Sequence, residues 1–390
     1  MIVHKAFKYR IYPNREQQQN LAIQFGQARY IYNWGLAQSQ AAYPGYHRLS
    51  KQLPILKASE DTSWLKEAHS QVLQQSLKNL DRAFKNFFEK RGGYPQFKSK
   101  RARQSIRYPQ PKEKWIGQDG RRIYLPKVGQ VRLVMHRPLK GEMKNMTVSR
   151  TKSGRYFVSI QVEVEMSEPA FLGCAVGIDL GLRDFATLSS GEKIAPPHYY
   201  RKAQLKRRRL ARQLSRKKPG SHNREKARLR LARLDEHIAN QRSDFHHKIS
   251  RQLIEENQFI GLEDLNVSGM MKNHHLAKSI GDVGWSSFIA MLVYKGDWYG
   301  CRVEKVNRWY PSSKTCSACG AVMEAVPLQV RQWQCPVCDV VHDRDVNAAT
   351  NILNQTTVGA TVSNAWGQPV RPEFAAATGQ RWTIQEANLL

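Results

Sequence analysis

The sequence lacks long apolar runs and has no recognisable export signal. No apolar stretch among its 390 residues approaches the roughly 20 residues that a membrane-spanning helix needs. The first residues, MIVHKAFKYRIYP, have no apolar centre of the kind that a signal peptide contains. These absences predict a cytoplasmic protein in which no disulfide bonds are expected.

Acidic residues are also scarce relative to basic ones. The chain has 62 Lys and Arg against 32 Asp and Glu, which gives a formal net charge of +30. Charge of one sign on this scale disfavours compaction, so we expect a polyanionic partner and a nucleoid-associated protein. An apolar fraction of 41% and nine tryptophans are typical of a folded chain rather than a disordered one.

The first part of the chain changes from strand-like to helix-like patterns and back. The residues before Pro13 alternate basic with apolar or aromatic side chains and predict a strand. Helical periodicity follows from Arg15 to about Arg91. One face of its last segment is apolar and expected in the core: Leu77, Leu80, Phe84, Phe87 and Phe88. Residues 121–166 contain four β-like runs, which predict a small, mostly antiparallel barrel or sheet that the N-terminal strand can complete.

Two segments carry the residue types that hold a nucleic-acid backbone. Residues 92–111 are punctuated by glycine and proline and mix basic with aromatic side chains, as a loop that follows phosphates does. Residues 201–251 hold 18 Lys and Arg against 4 Asp and Glu, with a break at KKPGSHN. They predict a basic helical hairpin with one face on the core and the other on phosphate. The candidate nucleic-acid-binding residues are Lys98, Lys100, Arg101, Arg103, Arg207, Arg208, Arg209 and Lys217.

Four of the six cysteines form two CxxC pairs that are separated by 15 residues (320–334). The four are Cys316, Cys319, Cys335 and Cys338. This is the spacing of a zinc ribbon, in which four thiolates bind one tetrahedral Zn²⁺ and leave no open position, so the ion is expected to be structural. Cys174 and Cys301 stand beside apolar residues and are expected to be buried thiols.

Three acidic residues stand where Mg²⁺-dependent phosphodiester hydrolysis would need them. Asp179 follows the apolar run AVGI at a glycine turn, Glu263 ends the run FIGL, and Asp345 precedes the helix-like VNAATNIL. Two strand ends and a helix start are the geometry that ribonuclease-H-like folds use, and Mg²⁺ takes oxygen ligands. Each position also has an ordinary explanation. Asp345 can cap its helix, Glu263 can be a surface acid, and the GIDLG turn also fits actin-like ATPases.

Six segments of the chain resemble the TnpB proteins of bacterial and archaeal transposons, which are similar to type V CRISPR effectors. The segments are YRIYPN, GYPQFKSKRARQSIRY, VGIDLGLRDFATLSSG, GLEDLNV, YGCRVEKVNRWYPSSKTCSACG and CPVCDVVHDRDVNAATNIL. The resemblance covers residues 1–355 and implies an RNA-guided DNA endonuclease with a RuvC-type nuclease domain. It places the catalytic acids on Asp179, Glu263 and Asp345, and the zinc ligands on the four cysteines of the CxxC pairs.

The resemblance also implies a multi-domain α+β architecture: a small β-barrel (wedge) domain with a helical insertion, and a RuvC, ribonuclease-H-like α/β domain with an inserted zinc ribbon. The barrel is expected at residues 1–14 and 96–170, and the helical recognition module at 15–95. The nuclease domain is expected at 171–355, with its basic hairpin at 201–251 and its zinc ribbon at 310–341. A loose tail is expected at 356–390. The expected cofactors are two catalytic Mg²⁺ ions and one Zn²⁺. The expected partners are a guide RNA from the transposon end and double-stranded DNA bearing a short flanking motif.

A neighbouring acid and two rival functions stay open at this point. Asp343 is expected to support the turn before the helix, whereas Asp345 is expected to be held by the amides of the first helical turn. A transposase could use the same three acids without RNA, and a guided repressor could have lost cutting. A tyrosine-type transposase needs a His-hydrophobic-His triplet, which the sequence lacks: the nearest pairs are His246–His247 and His274–His275.

Overall fold

The computed structural model describes residues 2–39, 42–101, 103–166, 173–327, 329–357, 362–363 and 369–370. The chain separates into two compact units, residues 1–166 with 214–233 and residues 167–213 with 234–390. None of the helices in the described ranges is long and apolar enough to cross a membrane. The expected boundary at residues 170–171 and most of the expected loose tail lie outside the described residues.

The first unit contains a six-stranded antiparallel sheet. Its strands are β1 (Ile2–Tyr12), β2 (Gln104–Tyr108), β3 (Arg122–Leu125), β4 (Gly129–Val134), β5 (Glu142–Arg150) and β6 (Tyr156–Glu165). Their order is β2-β5-β6-β1-β4-β3, and β1 pairs with β6 from Ile2–Glu165 to Ile11–Tyr156. Alternate side chains of β6 are buried, as expected of a sheet with one face on the core. The predicted antiparallel sheet and its completion by the N-terminal strand are therefore confirmed.

Three helices and a short 3₁₀ segment follow β1. They are α1 (Arg15–Ala37), α2 (Tyr46–Ala58), the 3₁₀ segment Glu60–Glu67 and α3 (Ser70–Phe88). The predicted apolar face of α3 is confirmed for the three residues that are buried, Leu77, Leu80 and Phe84. It is wrong for Phe87 and Phe88, which are 36% and 62% exposed. Both lie in the last turn of α3, where their rings contact each other at the surface.

The second unit is built around a five-stranded mixed sheet. Its strands are β7 (Ala175–Asp179), β8 (Ala186–Leu188), β9 (Lys193–Ile194), β10 (Phe259–Leu262) and β11 (Arg302–Lys305). They follow the order β11-β10-β7-β8-β9, in which β11, β10 and β7 are parallel and the other two pairings are antiparallel. All four residues of β10 are buried, as is typical of a parallel strand covered on both faces. The chain is therefore of mixed α and β structure, as predicted.

Six further helices are described between residues 199 and 357. They are α4 (Tyr199–Ser215), α5 (His222–Glu256), α6 (Val267–Met270), α7 (Ala277–Val283), α8 (Trp285–Tyr299) and α9 (Arg344–Thr357). The gap between α4 and α5 falls on the predicted break at KKPGSHN, which confirms two basic helices rather than one. The start of α4 is fixed within the second unit, because the Asp282 carboxylate accepts the amides of Tyr200 (2.8 Å) and Arg201 (3.2 Å).

Two glycines that face each other across β7 and β10 let α9 lie directly on the sheet. Gly177 and Gly261 are Cα partners in the register of the two strands. A Cβ atom on Gly177 would lie 2.0 Å from the carbonyl oxygen of Ala349, and one on Gly261 would lie 2.5 Å from Oγ1 of Thr356. A side chain at position 177 would therefore have to push α9 away, and one at position 261 would have to displace the Thr356 side chain. We call this pair the glycine groove.

The two cysteines outside the CxxC pairs differ in their surroundings. Cys301 is 5% exposed, and burial raises the pKa of its thiol to about 12, so the prediction of a buried thiol is confirmed there. Cys174 is exposed, and the same prediction is wrong. It lies one residue before β7 begins, at the rim of the sheet rather than inside it.

The remaining described strands are short. β12 (Gln332–Gln334) and β13 (Val341–Asp343) form an antiparallel pair that ends directly before α9. Beyond α9, β14 (Val362–Ser363) and β15 (Pro369–Val370) also pair antiparallel.

Candidate functional site

The first two candidate acids end neighbouring parallel strands. Asp179 is the last residue of β7, and Glu263 directly follows β10. Because carboxyl ends of parallel strands meet at one edge of a sheet, the two acids lie at the same edge. Side chains two residues apart in a strand share a face, so Asp179 and Glu263 lie on the face of Gly177 and Gly261, which α9 covers.

The third candidate acid is on the helix that covers this face. Asp345 is the second residue of α9 and stands one helical turn before Ala349, the residue in contact with Gly177. One helical turn advances about 5.4 Å, and two strand residues advance about 6.6 Å, so Asp345 arrives level with Asp179. The negative charges of Glu263 and Asp345 both act on Asp179 and raise its pKa. The structure therefore brings together three acids that are 84 and 82 residues apart in the chain.

Burial disfavours the ionised forms of Asp179 and Glu263, and like charge adds to this effect at Asp179. Burial is the larger cause, and the carboxylates of Glu263 and Asp345 add to it, so the pKa of Asp179 rises to about 8. Arg344 and Arg331 oppose the rise. Burial also raises the pKa of Glu263, although a hydrogen bond from the Ser312 hydroxyl acts in the opposite direction. A divalent cation among the three would favour their ionised forms.

We expect Asp179→Asn to stabilise the protein in buffer without divalent cations, and the gain to grow with pH. A raised carboxyl pKa means that the folded state holds a proton that the unfolded state releases. The wild type therefore loses stability as pH rises from about 4 to about 8. The difference in free energy of unfolding between variant and wild type should increase by about 1–3 kcal/mol between pH 5 and pH 8.5. Denaturant unfolding at both pH values measures it.

Asp343→Asn is the matched control for this measurement, because the pKa of Asp343 is lowered in the fold. Its stabilising contribution is complete above its ordinary pKa and does not change between pH 5 and pH 8.5. A pH-independent gain for Asp179→Asn, or none, would contradict the raised pKa that burial and the neighbouring carboxylates give Asp179.

Asp343 has a structural environment that Asp345 lacks. Its Oδ1 accepts the backbone amides of Asp345 (3.0 Å) and Val346 (3.1 Å), so it caps α9, and its Oδ2 contacts Nζ of Lys193 at 2.7 Å. Burial acts to raise the pKa of Asp343, but Lys193 and the two amides outweigh it and the pKa is lowered. The expectation that Asp343 supports the turn is confirmed.

The expectation that first-turn amides hold the Asp345 carboxylate is wrong. Those amides bind Asp343, because α9 begins at Arg344 and the capping position falls one residue earlier. Asp345 instead faces Arg331, whose Nη1 lies 3.2 Å from Oδ1 and 3.1 Å from Oδ2. Sequence reasoning missed Arg331. The pairing of β12 with β13 brings Arg331 to the start of α9, because the next residue, Gln332, lies opposite Asp343.

The four cysteines of the CxxC pairs converge on one point. Their sulfur atoms all lie within 4.8 Å of one another, with Cys316 and Cys338 at 3.6 Å and Cys319 and Cys335 at 3.7 Å. Four sulfurs at about 2.3 Å from a tetrahedral ion stand about 3.8 Å apart, so the cluster has the size of a zinc site. In the described part of the chain, no other set of His, Cys, Asp and Glu ligand atoms is this compact, and the three acids are accordingly spaced more widely.

The two CxxC turns are built alike. In the first turn the amide of Gly320 donates to the Cys316 carbonyl at 2.9 Å, and in the second the amide of Asp339 donates to the Cys335 carbonyl at 2.9 Å. Gly320 and Asp339 both have positive φ, 79° and 58°, which closes each turn and directs its thiols to one side. The equivalence of the turns indicates one shared ligand rather than two independent redox sites.

Most of the predicted nucleic-acid-binding side chains are exposed. In the first unit these are Lys100, Arg101, Arg103 and Lys217, and in the second they are Arg208 and Arg209. The other two have partners within the fold. Nζ of Lys98 lies 3.6 Å from the centre of the Tyr32 ring, and Nε of Arg207 lies 2.7 Å from Oδ1 of Asp235. The sequence showed the charge of these two residues but not their partners.

Three family models match successive parts of the chain. A helix-turn-helix model of the OrfB_IS605 group matches residues 1–46, a range that includes β1 and α1. The OrfB_IS605 model, described as "Probable transposase", matches residues 159–274, and the Cas12f1-like TNB domain model matches residues 285–352. The last two ranges contain all three acids and all four clustered cysteines.

Two curated proteins are similar over nearly the whole chain. One, from Streptomyces pristinaespiralis, is named "Putative RNA-guided DNA endonuclease" and is 39% identical over 98% of this chain and 96% of its own length. Another, from Escherichia coli K12, is named "Putative RNA-guided DNA endonuclease InsQ" and is 36% identical over 90% of this chain and 91% of its own length. Among solved structures, the Cas12f1 chain of a complex with sgRNA and target DNA matches 90% of this chain and 99% of its own, with a TM-score of 0.53 and 14% identity. At that identity the last match supports the fold alone.

Proposed function

Because the chain belongs to the TnpB family, we propose that it is an RNA-guided, Mg²⁺-dependent endonuclease that cuts double-stranded DNA beside a short flanking motif. The observation that carries the proposal is the convergence of Asp179, Glu263 and Asp345 at one sheet edge, where like charge and burial raise the pKa of Asp179. A stable fold gains nothing from three crowded carboxylates, whereas a cation site needs them.

The donor set fits the expected metal ions. Carboxylate oxygens are the ligands that Mg²⁺ prefers, and Asp179, Glu263 and Asp345 would hold two such ions. When bound, the ions supply an activated water and stabilise the leaving 3′ oxygen in an in-line displacement. Arg331, already beside Asp345, places positive charge at the same edge. The four thiols, by contrast, suit one structural Zn²⁺.

The remaining parts of the chain would hold the nucleic acids. We assign the second unit's sheet with α9 to a RuvC-like nuclease domain, and the first unit's sheet and helices to the wedge barrel and recognition module. A transposon-derived guide RNA would read the target by base pairing, and the flanking motif would be read by the protein. The exposed basic residues of the hairpin and of residues 98–103 would contact phosphates, which fix position without reading sequence.

The proposal is tested with protein expressed together with the DNA that flanks its gene, so that any guide RNA copurifies. We expect Mg²⁺-dependent cutting of matched double-stranded DNA, lost after RNase treatment and absent with an unmatched target. RNase-insensitive joining of DNA strands would indicate instead a transposase that uses the same acids. RNA-dependent binding without cutting would indicate a guided repressor.

A further inference from the structure

A buried serine contacts one of the three acids. Ser312 is 4% exposed, and its hydroxyl donates to Oε1 of Glu263 at 2.9 Å. It lies in the loop between β11 and Cys316, the first of the clustered thiols. The neighbouring serine, Ser313, is only partly buried.

This loop is fastened to α9, the helix that carries Asp345. The side-chain amide of Asn351 donates to the carbonyl oxygens of Ser312 (2.8 Å) and Thr315 (2.6 Å). Asn347 donates to the same carbonyl of Thr315 at 2.8 Å and accepts the amide of Ser317 at 2.9 Å. Asn347 and Asn351 are 2% and 3% exposed, so these bonds are shielded from water. The loop therefore has a fixed place relative to Asp345.

The Ser312 hydroxyl binds a carboxylate, whereas the asparagine amides bind backbone carbonyls. Asn347 and Asn351 satisfy backbone carbonyls, which any buried loop requires. Ser312 instead fixes Oε1, one of the two carboxylate oxygens of Glu263. Carboxylates that bind metal ions are commonly held by such a second hydrogen bond, and its loss costs about 10- to 100-fold in metal affinity or activity.

We propose that Ser312 is a positioning residue that orients Glu263 toward the catalytic cation, and that Asn347 and Asn351 hold it in register with Asp345. The inference rests on the proposed function, since it takes Glu263 as a ligand of that cation. The hydrogen bonds of Ser312, Asn347 and Asn351 connect the loop that carries the first clustered thiols with the acid cluster.

The first test is the Mg²⁺ dependence of target cutting by wild type, Ser312→Ala, Ser312→Thr and Ser313→Ala. We expect Ser312→Ala to need about 10-fold more Mg²⁺ for half-maximal cutting and to recover most of its rate at saturation. Ser312→Thr, which keeps the hydroxyl, should stay closer to wild type, and Ser313→Ala should match it. An unchanged Mg²⁺ requirement in Ser312→Ala, or an equal rise in Ser313→Ala, would overturn the inference.

A second readout does not depend on cutting. Calorimetric titration of the zinc-loaded protein with Mn²⁺, which prefers oxygen ligands, should show binding that Asp179→Ala abolishes and Ser312→Ala weakens about 10-fold. If wild type does not cut but these differences in Mn²⁺ binding appear, the proposed function is wrong, while Ser312 is still shown to orient Glu263 toward a bound cation. If Ser312→Ala binds Mn²⁺ as wild type does, or if wild type binds none, the role of Ser312 is wrong.

Discussion

Asp345→Asn should reduce target cutting by about 10³-fold or more, while Asp343→Asn should stay within a few-fold of wild type. Each change removes one carboxylate charge, and the two positions are two residues apart. A difference in cutting between the variants is therefore due to where the carboxylate lies and not to the loss of charge. Asp345 stands level with Asp179 at the sheet edge, whereas Asp343 binds the first amides of α9 and Lys193. A loss of 10³ corresponds to about 4 kcal/mol of transition-state stabilisation, a plausible share for one ligand of a catalytic metal ion.

The Asp343 variant should remain active because an asparagine oxygen can still cap a helix. Asp343→Asn should lower the free energy of unfolding by about 1 kcal/mol or less, because the pairing with Lys193 is lost and the helix cap is weaker. Single-turnover cutting with bound guide RNA measures the first effect, and denaturant unfolding measures the second. Equal loss of cutting in both variants would show that the helix start, not the individual carboxylate, is what the reaction needs.

The second large effect is expected from the thiol cluster. Cys335→Ser should lower the zinc content from about one ion per chain to near zero and reduce cutting by about 100-fold or more. Without the ion, the four thiols no longer hold the two CxxC turns to one centre, and the loops that place Arg331 beside Asp345 and Ser312 beside Glu263 lose that support. Metal analysis and limited proteolysis between residues 311 and 341 measure the two consequences.

Cys174→Ser is the matched control, because Cys174 is exposed and lies outside the cluster. It should keep its zinc, its resistance to protease and its cutting rate. Full activity of Cys335→Ser without zinc would show that the turns hold their shape through backbone hydrogen bonds alone. A loss of cutting in the control would indicate a general thiol effect rather than a metal effect.

The sequence predicted those features that local patterns determine. Alternating side chains predicted the antiparallel sheet, and the cysteine spacing predicted the thiol cluster. Apolar runs that end in an acid placed Asp179 and Glu263 at strand ends. Such features depend on a residue and its near neighbours, so they can be predicted before the fold is known.

What the sequence did not predict depends on partners that are distant in the chain. Ser312 meets Glu263 across 49 residues and Lys193 meets Asp343 across 150 residues, and no local pattern specifies either pair. The exposure of Phe88 and Cys174 depends on where neighbouring elements end. The capping residue depends on whether α9 begins at Arg344 or one residue later, a difference that pattern reasoning does not resolve.

Because α9 must dock in the glycine groove before the three acids meet, we expect the protein to become active late in its synthesis and folding. α9 fills the groove, yet Asp345 is made 166 residues after Asp179. A chain still on the ribosome can complete β7 and β10 while the groove remains empty and the third acid does not exist. Long-range closure of this kind is also a late event in folding. On the proposed function, a nascent chain that lacks α9 would be harmless to DNA, and cutting would begin only once α9 had docked.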